Sequence, residues 1–80
     1  MENLKYKNKV VGVKQVKNAV KSGRADRVYI ADDSDISVTS SMFELCRENG
    51  IEPIIVETRK ELGRACGVDV YTAAAAILKS

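Results

Sequence analysis

Arg27-Val28-Tyr29-Ile30-Ala31 runs directly into Asp32-Asp33-Ser34-Asp35. The first five residues are short, aromatic and β-branched, the composition of a strand, and the next four form a polar cluster of the kind that makes loops. A second helix follows this strand and loop. Val38, Met42, Leu45 and Cys46 recur at helical spacing, with Asp35 or a nearby Ser/Thr as cap and Gly50 as stop. Upstream, Val13, Val16, Ala19 and Val20 form an apolar stripe with Lys14, Lys17, Asn18 and Lys21 outside it, which predicts an amphipathic helix over 13–22 stopped by Gly23.

Downstream, the pattern repeats. Pro53-Ile54-Ile55-Val56 is a continuous apolar run that suits a buried strand, with Pro53 tolerated at its first position. Thr58 and Glu61 have capping-box spacing and open a short helix through Leu62, Ala65 and Cys66 that Gly67 ends. Thr72 to Leu78 is ambiguous. Its four alanines favour helix by propensity, yet two buried strands need further edges, and alanine lets a helix lie close to a sheet. The alternation predicts an α/β fold, a three-layer α/β/α sandwich.

Eighty residues predict a single domain over 1–80 with one core and little room for an enclosed active site. No apolar run approaches the roughly 20 residues that span a bilayer, and the opening residues lack a signal peptide's apolar stretch, so a cytoplasmic protein is expected. Cys46 and Cys66 fall in apolar helical patterns and there is no histidine, which argues for buried free thiols rather than zinc ligands. The total charge of +2 conceals an asymmetry. Residues 1–27 set eight Lys/Arg against Glu2 and Asp26, net +6, whereas 28–57 set seven carboxylates against Arg47, net −6. A cation-rich face suits a polyanion such as nucleic acid; solvated helix faces account for the same pattern.

Triad-type nucleophilic catalysis has nothing to run on without a histidine or a cysteine beside a base. Asp32, Asp33 and Asp35 follow a strand's carboxyl end, where they could hold Mg²⁺ near a phosphate as a phosphoryl-transfer or regulatory domain, or merely build the loop. No phosphate-binding glycine motif is complete, and no cofactor is implied. A more specific constellation is Gly12-Val13-Lys14-Gln15-Val16-Lys17-Asn18 read with Leu62-Gly63-Arg64-Ala65-Cys66-Gly67-Val68. Lys14 and Asn18 share a helix face, Gln15 projects beside them, and the helix start adds free amides and a positive dipole end. Such groups favour phosphate and can bond base edges, although a plain amphipathic helix looks much the same. A protein-interaction module with an incidental basic helix is the remaining reading.

Both segments in this order, with Ala31-Asp32-Asp33-Ser34-Asp35 between them and Leu45-Cys46-Arg47-Glu48-Asn49-Gly50 following, resemble the ribosomal L7Ae protein family, as a short bacterial-type member. The resemblance runs from about Val10 to Leu78. It implies a small mixed sheet in which Thr72 to Leu78 is a strand, no catalytic activity and no metal. It also implies binding, as a monomer, to the kink-turn of a ribosomal RNA or riboswitch, a sharply bent loop in which sheared G·A pairs flank a bulge with an extruded nucleotide. Carried over residue by residue, Gly12 brings backbone close to RNA, and Lys14, Gln15 and Asn18 read the sheared guanines, with Lys17 as a further phosphate contact. Asp35 lies near the extruded base, Arg59 beside its pocket, and Val68, Asp69, Val70 and Tyr71 in the loop that covers it. Arg64 is added as a phosphate contact on charge alone.

The chain departs from the family pattern in two places. Where the family's first helix carries Asn, then Glu, then Lys three residues on, this chain has Lys14, Gln15 and Asn18, so a charge-assisted bond is lost and an acceptor-only carboxylate becomes a mixed donor and acceptor. In the covering loop the usual Ser-Arg-Pro becomes Asp69-Val70-Tyr71, which removes a cation and adds a carboxylate. Both changes predict weaker or differently tuned RNA binding than the family's strongest clamps achieve.

Overall fold

A computed structural model describes residues 2–79. Its elements are β1 (Lys9–Val11), α1 (Val13–Lys21), β2 (Ala25–Ala31), α2 (Ile36–Glu48), β3 (Ile54–Val56), α3 (Arg59–Cys66) and β4 (Ala74–Leu78). The strands form one mixed sheet in the order β1-β4-β2-β3, with β4 antiparallel to β1 and β2, and β3 parallel to β2.

Side-chain alternation along the two central strands divides the core in two. Val28 and Ile30 of β2, with Ala74 and Ala76 of β4, face Val16, Ala19 and Val20 of α1 and Met42 and Cys46 of α2. Tyr29, Ala31 and Ala75 point the other way, against Leu62 and Cys66 of α3, Val56 of β3 and Leu4. This is the expected three-layer sandwich, α1 and α2 on one face and α3 on the other. The cysteines are free and buried on opposite faces of the sheet, where burial pushes both thiols up from their ordinary pKa.

Thr72 to Leu78 contains a strand, and it is central. Ala74, Ala75 and Ala76 are each 0% exposed, covered by helices on both sides. Helix propensity of a few tenths of a kcal/mol per residue yields here to two ladders of hydrogen bonds and to the close helix-to-sheet approach that small side chains permit. The run at 53–56 is corrected from buried strand to edge strand: β3 pairs only with β2, which leaves Ile54 and Ile55 exposed.

Two features were not legible beforehand. β1 is only three residues long and begins at Lys9, too short to show a period. Residues 2–8 form a strap over the α3 side, pinned where Leu4 donates its N–H to the Ala65 carbonyl at 2.8 Å and buries its side chain completely. Full burial of a leucine stabilises by about 1.5–3 kcal/mol. Glu2 in the same strap accepts a hydrogen bond from the Tyr29 hydroxyl and pairs with Arg27 at 3.0 Å.

Candidate nucleic-acid interface

Strand direction gathers the site. Because β4 is antiparallel to both β1 and β2 while β3 is parallel to β2, the strands β1, β2 and β3 all point the same way, and each is followed directly by a helix. The starts of α1, α2 and α3 therefore stand along one edge of the sheet, together with the segment that leads into β4. Hydrogen bonds tie this edge together. Gly12 donates its N–H to Ala74 O at 2.9 Å, Ala31 to Ala73 O at 2.9 Å, Asp32 to Val56 O at 2.8 Å, and Thr72 to Arg59 O at 3.1 Å.

The helix starts there differ in how they are closed. Thr58 caps α3, its Oγ1 accepting from Glu61 N at 3.0 Å, as the Thr58/Glu61 spacing predicts. Gly12 and Asp35 stand at the N-caps of α1 and α2 with no side-chain cap bond. Asp35 thus contributes position and its backbone carbonyl, which accepts from Val38 and Thr39, while its carboxylate stays exposed. The opening amides of a helix lack intrahelical acceptors, and the dipole makes that end attractive to anions. Gly12 holds φ +109°, a conformation that favours glycine, and the Gln15 side chain folds back towards it: a Cβ there would lie 2.7 Å from Gln15 Oε1.

Lys14, Gln15 and Asn18 are exposed on α1, and Lys17 is half-buried one turn on. Arg59 opens α3 and is fixed on three sides. Its N–H donates to Asp33 Oδ1 at 2.8 Å, its Nε reaches the same oxygen at 3.3 Å, and its guanidinium lies 5.7 Å from the centroid of the Tyr71 ring. Asp33 is thus committed to positioning a cation, and among the described residues no group of three His, Cys, Asp or Glu side chains is placed to hold a metal ion. The Asp32/Asp33/Asp35 run is a loop-building cluster in which Asp33 does specific work that the sequence did not reveal.

Val68, Asp69 and Val70 lie in the segment between α3 and β4, on the same edge as Arg59 through the Thr72 hydrogen bond. Gly63 lets that segment pack directly on α3, since a methyl group there would overlap the Val70 carbonyl oxygen. Arg64 stands apart: it is more than a turn beyond Arg59 on α3, where it lines two grooves with Lys60 rather than the edge that carries Asp35. The positive block at 1–27 is likewise divided. α1 runs away from the edge, so Lys21 lies at its far end, and Arg27 pairs with Glu2 instead of facing the edge. The edge is mixed in sign, with Lys14 and Arg59 flanking a carboxylate-bearing loop.

The whole chain, residues 1–80, matches the ribosomal protein L7Ae/L30e/S12e/Gadd45 family. An RNA-binding protein of Caldanaerobacter subterraneus subsp. tengcongensis is 46% identical over 68 residues, which is 85% of this chain and 83% of that one. Large ribosomal subunit protein eL8 of Halobacterium salinarum is 41% identical over 84% of this chain and 57% of its own length. Among solved structures, the Giardia lamblia 15.5kD RNA binding protein superposes with a TM-score of 0.84 at 31% identity, over 91% of this chain and 62% of that one.

Proposed function

The chain belongs to the ribosomal protein L7Ae/L30e/S12e/Gadd45 family, and we propose that, as an RNA-binding protein of that family, it recognises and stabilises kink-turns in structured RNA. Its part is binding, without an enzymatic step. One observation supports the reading above others: the start of α1 after Gly12 and the segment after Gly67 meet on a single edge, Gly12 bonded to Ala74 and Arg59 to Thr72. Had these two stretches lain on opposite sides, no single RNA loop could meet both.

The division of labour follows from side-chain chemistry. Lys14, Lys17 and Arg59 supply phosphate contacts and the salt-dependent part of the affinity, with Arg64 reaching flanking backbone. Gln15 and Asn18 supply discrimination, because amide groups can both donate to and accept from base edges. An ordinary A-form major groove is too narrow for them, so recognition requires the groove widened by a kink. Binding the bent RNA better than the extended form shifts the population towards the kink by that difference in affinity. Asp35 and the covering loop, Val68 to Tyr71, frame the extruded nucleotide. A monomer acting on ribosomal or riboswitch RNA in the cytoplasm completes the proposal; no helix among the described residues is long and apolar enough to cross a membrane.

The decisive experiment is an electrophoretic titration with a kink-turn and with a partner RNA lacking its G·A pairs. Preference for the intact kink-turn, with affinity falling as salt rises, is expected. Equal binding to the two RNAs would overturn the proposal.

A further inference from the structure

The outer side of the 68–71 loop carries a cleft that shares this loop and Arg64 with the kink-turn reading and adds Lys60. It has a volume of about 220 Å³ and is lined by Lys60, Arg64, Val68, Asp69, Val70 and Tyr71. None of the α1 residues, Asp33, Asp35 or Arg59 lines it; besides the loop, its walls come from Lys60 and Arg64 of α3. The space is below the roughly 300–1,000 Å³ typical of a pocket for a drug-sized ligand and suits one flat ring system.

Its chemistry is specific. Val70 and Tyr71 are 65% and 66% exposed, an unusual pairing of apolar side chains on a loop that is otherwise firmly held. Val68 N–H bonds to Gly63 O at 3.0 Å, Thr72 Oγ1 donates to Val70 O at 3.4 Å, and the Arg59 guanidinium rests against the Tyr71 ring. The exposed ring is therefore presented by a rigid mount, and a fixed aromatic face beside cations is what an unpaired base stacks on. Lys60 and Arg64, four residues apart on one face of α3, supply the cations. Asp69 lines the same cleft, and a carboxylate, which repels a phosphate, pairs instead with the donors of a base edge. Guanine alone offers a carboxylate two adjacent donors, N1–H and N2–H, on its Watson–Crick edge; adenine offers one.

We propose that this cleft is a second nucleotide site for an unpaired guanosine, its base stacked on Tyr71, its Watson–Crick edge on Asp69, and its phosphate held by Lys60 and Arg64. The inference rests on the RNA-binding reading and extends it from the kink itself to a single-stranded guanosine outside the kink. The site needs no kinked RNA to be detected.

The test is a two-dimensional NMR titration of the full chain with the single-stranded tetranucleotides UUGU and UUAU, followed by Tyr71→Ala, Tyr71→Phe and Asp69→Asn. Shifts confined to Lys60, Arg64 and 68–71 are expected, with UUGU bound about tenfold more tightly than UUAU. Tyr71→Phe should retain binding, Tyr71→Ala should lose about fivefold or more, and Asp69→Asn should abolish the preference for guanine. No shifts at millimolar RNA, or equal affinity for the two oligonucleotides, would overturn the proposal. Kink-turn binding is measured separately, so a protein that clamps the kink-turn but ignores UUGU loses only this site, and the reverse result removes only the kink-turn reading.

Discussion

Gly63 and Val70 are in backbone contact: the α-carbon of the helix residue lies so near the loop residue's carbonyl oxygen that no side chain fits between them. The obstacle is backbone, not a side chain that can swing away. Gly63→Ala must therefore displace the loop or tilt α3. Overpacking of this kind costs about 1–3 kcal/mol, against a gain of under about 1 kcal/mol from better helix propensity. We expect a net loss of stability in urea unfolding, together with weaker kink-turn binding because Val68 to Tyr71 move. A variant as stable as the parent would show that the loop yields at no cost.

Asp33 positions Arg59 through two bonds to one carboxylate oxygen. Both partners are about two-fifths exposed, so the ion pair itself contributes no more than about 0.2–1 kcal/mol to folding. Its value lies in aiming the guanidinium. Asp33→Ala is expected to change stability little while lowering kink-turn affinity about fivefold, and Asp33→Asn, which keeps an acceptor for the Arg59 N–H, should fall between. Loss of stability and affinity in step would make the pair structural instead.

Much of this architecture could be read from the residues because local signals agreed with the fold. The stripe at Val13, Val16, Ala19 and Val20, the Thr58 cap and the Gly67 stop each act within one turn of chain, and the structure has α1 at Val13–Lys21 and α3 at Arg59–Cys66. Thr72 to Leu78 is the contrary case. Its state is set by strands β1 and β2 on either side, which a local propensity cannot see, and only the family likeness pointed to a strand. The site was legible as two segments but not as a surface. Asp33 looked like any loop aspartate until the fold brought Arg59, 26 residues away, within hydrogen-bonding reach. Gly63 did leave a trace, since glycine inside a helix is unfavourable without a packing reason.

Gln15 and Asn18 are the two amide side chains on the first turns of α1, and both are exposed. If they read base edges, replacing either by Ala should cost about 1–3 kcal/mol for a kink-turn and much less for plain duplex. Lys17→Ala should instead weaken both RNAs similarly and flatten the salt dependence. Gly12→Ala is expected to act through Gln15, since the added methyl meets its side chain and the φ of +109° is strained for alanine. Equal losses on kink-turn and duplex for Gln15→Ala and Asn18→Ala would demote these amides to general backbone contacts.

The strap residue Glu2 links stability to pH through Tyr29. The hydrogen bond from the Tyr29 hydroxyl, helped by Arg27 and Lys7, holds the Glu2 carboxyl below its ordinary value of 4.5, and burial with that same bond pushes the Tyr29 phenol above 10.0. A carboxylate with a lowered folded pKa stabilises the fold above its unfolded value, and the contribution disappears as pH falls through the folded one. A phenol with a raised pKa contributes below 10.0 and loses its contribution as pH rises beyond it. Wild type should therefore exceed Glu2→Gln in stability near neutrality, with the difference closing as the pH drops from about 4.5 downwards. Tyr29→Phe should shrink that acid-side closure, because the largest cause of the Glu2 shift is gone while Arg27 remains. Urea midpoints measured from pH 7 to pH 3 provide the check, and a wild-type advantage that stays constant over that range would show that Glu2 holds the strap by packing alone.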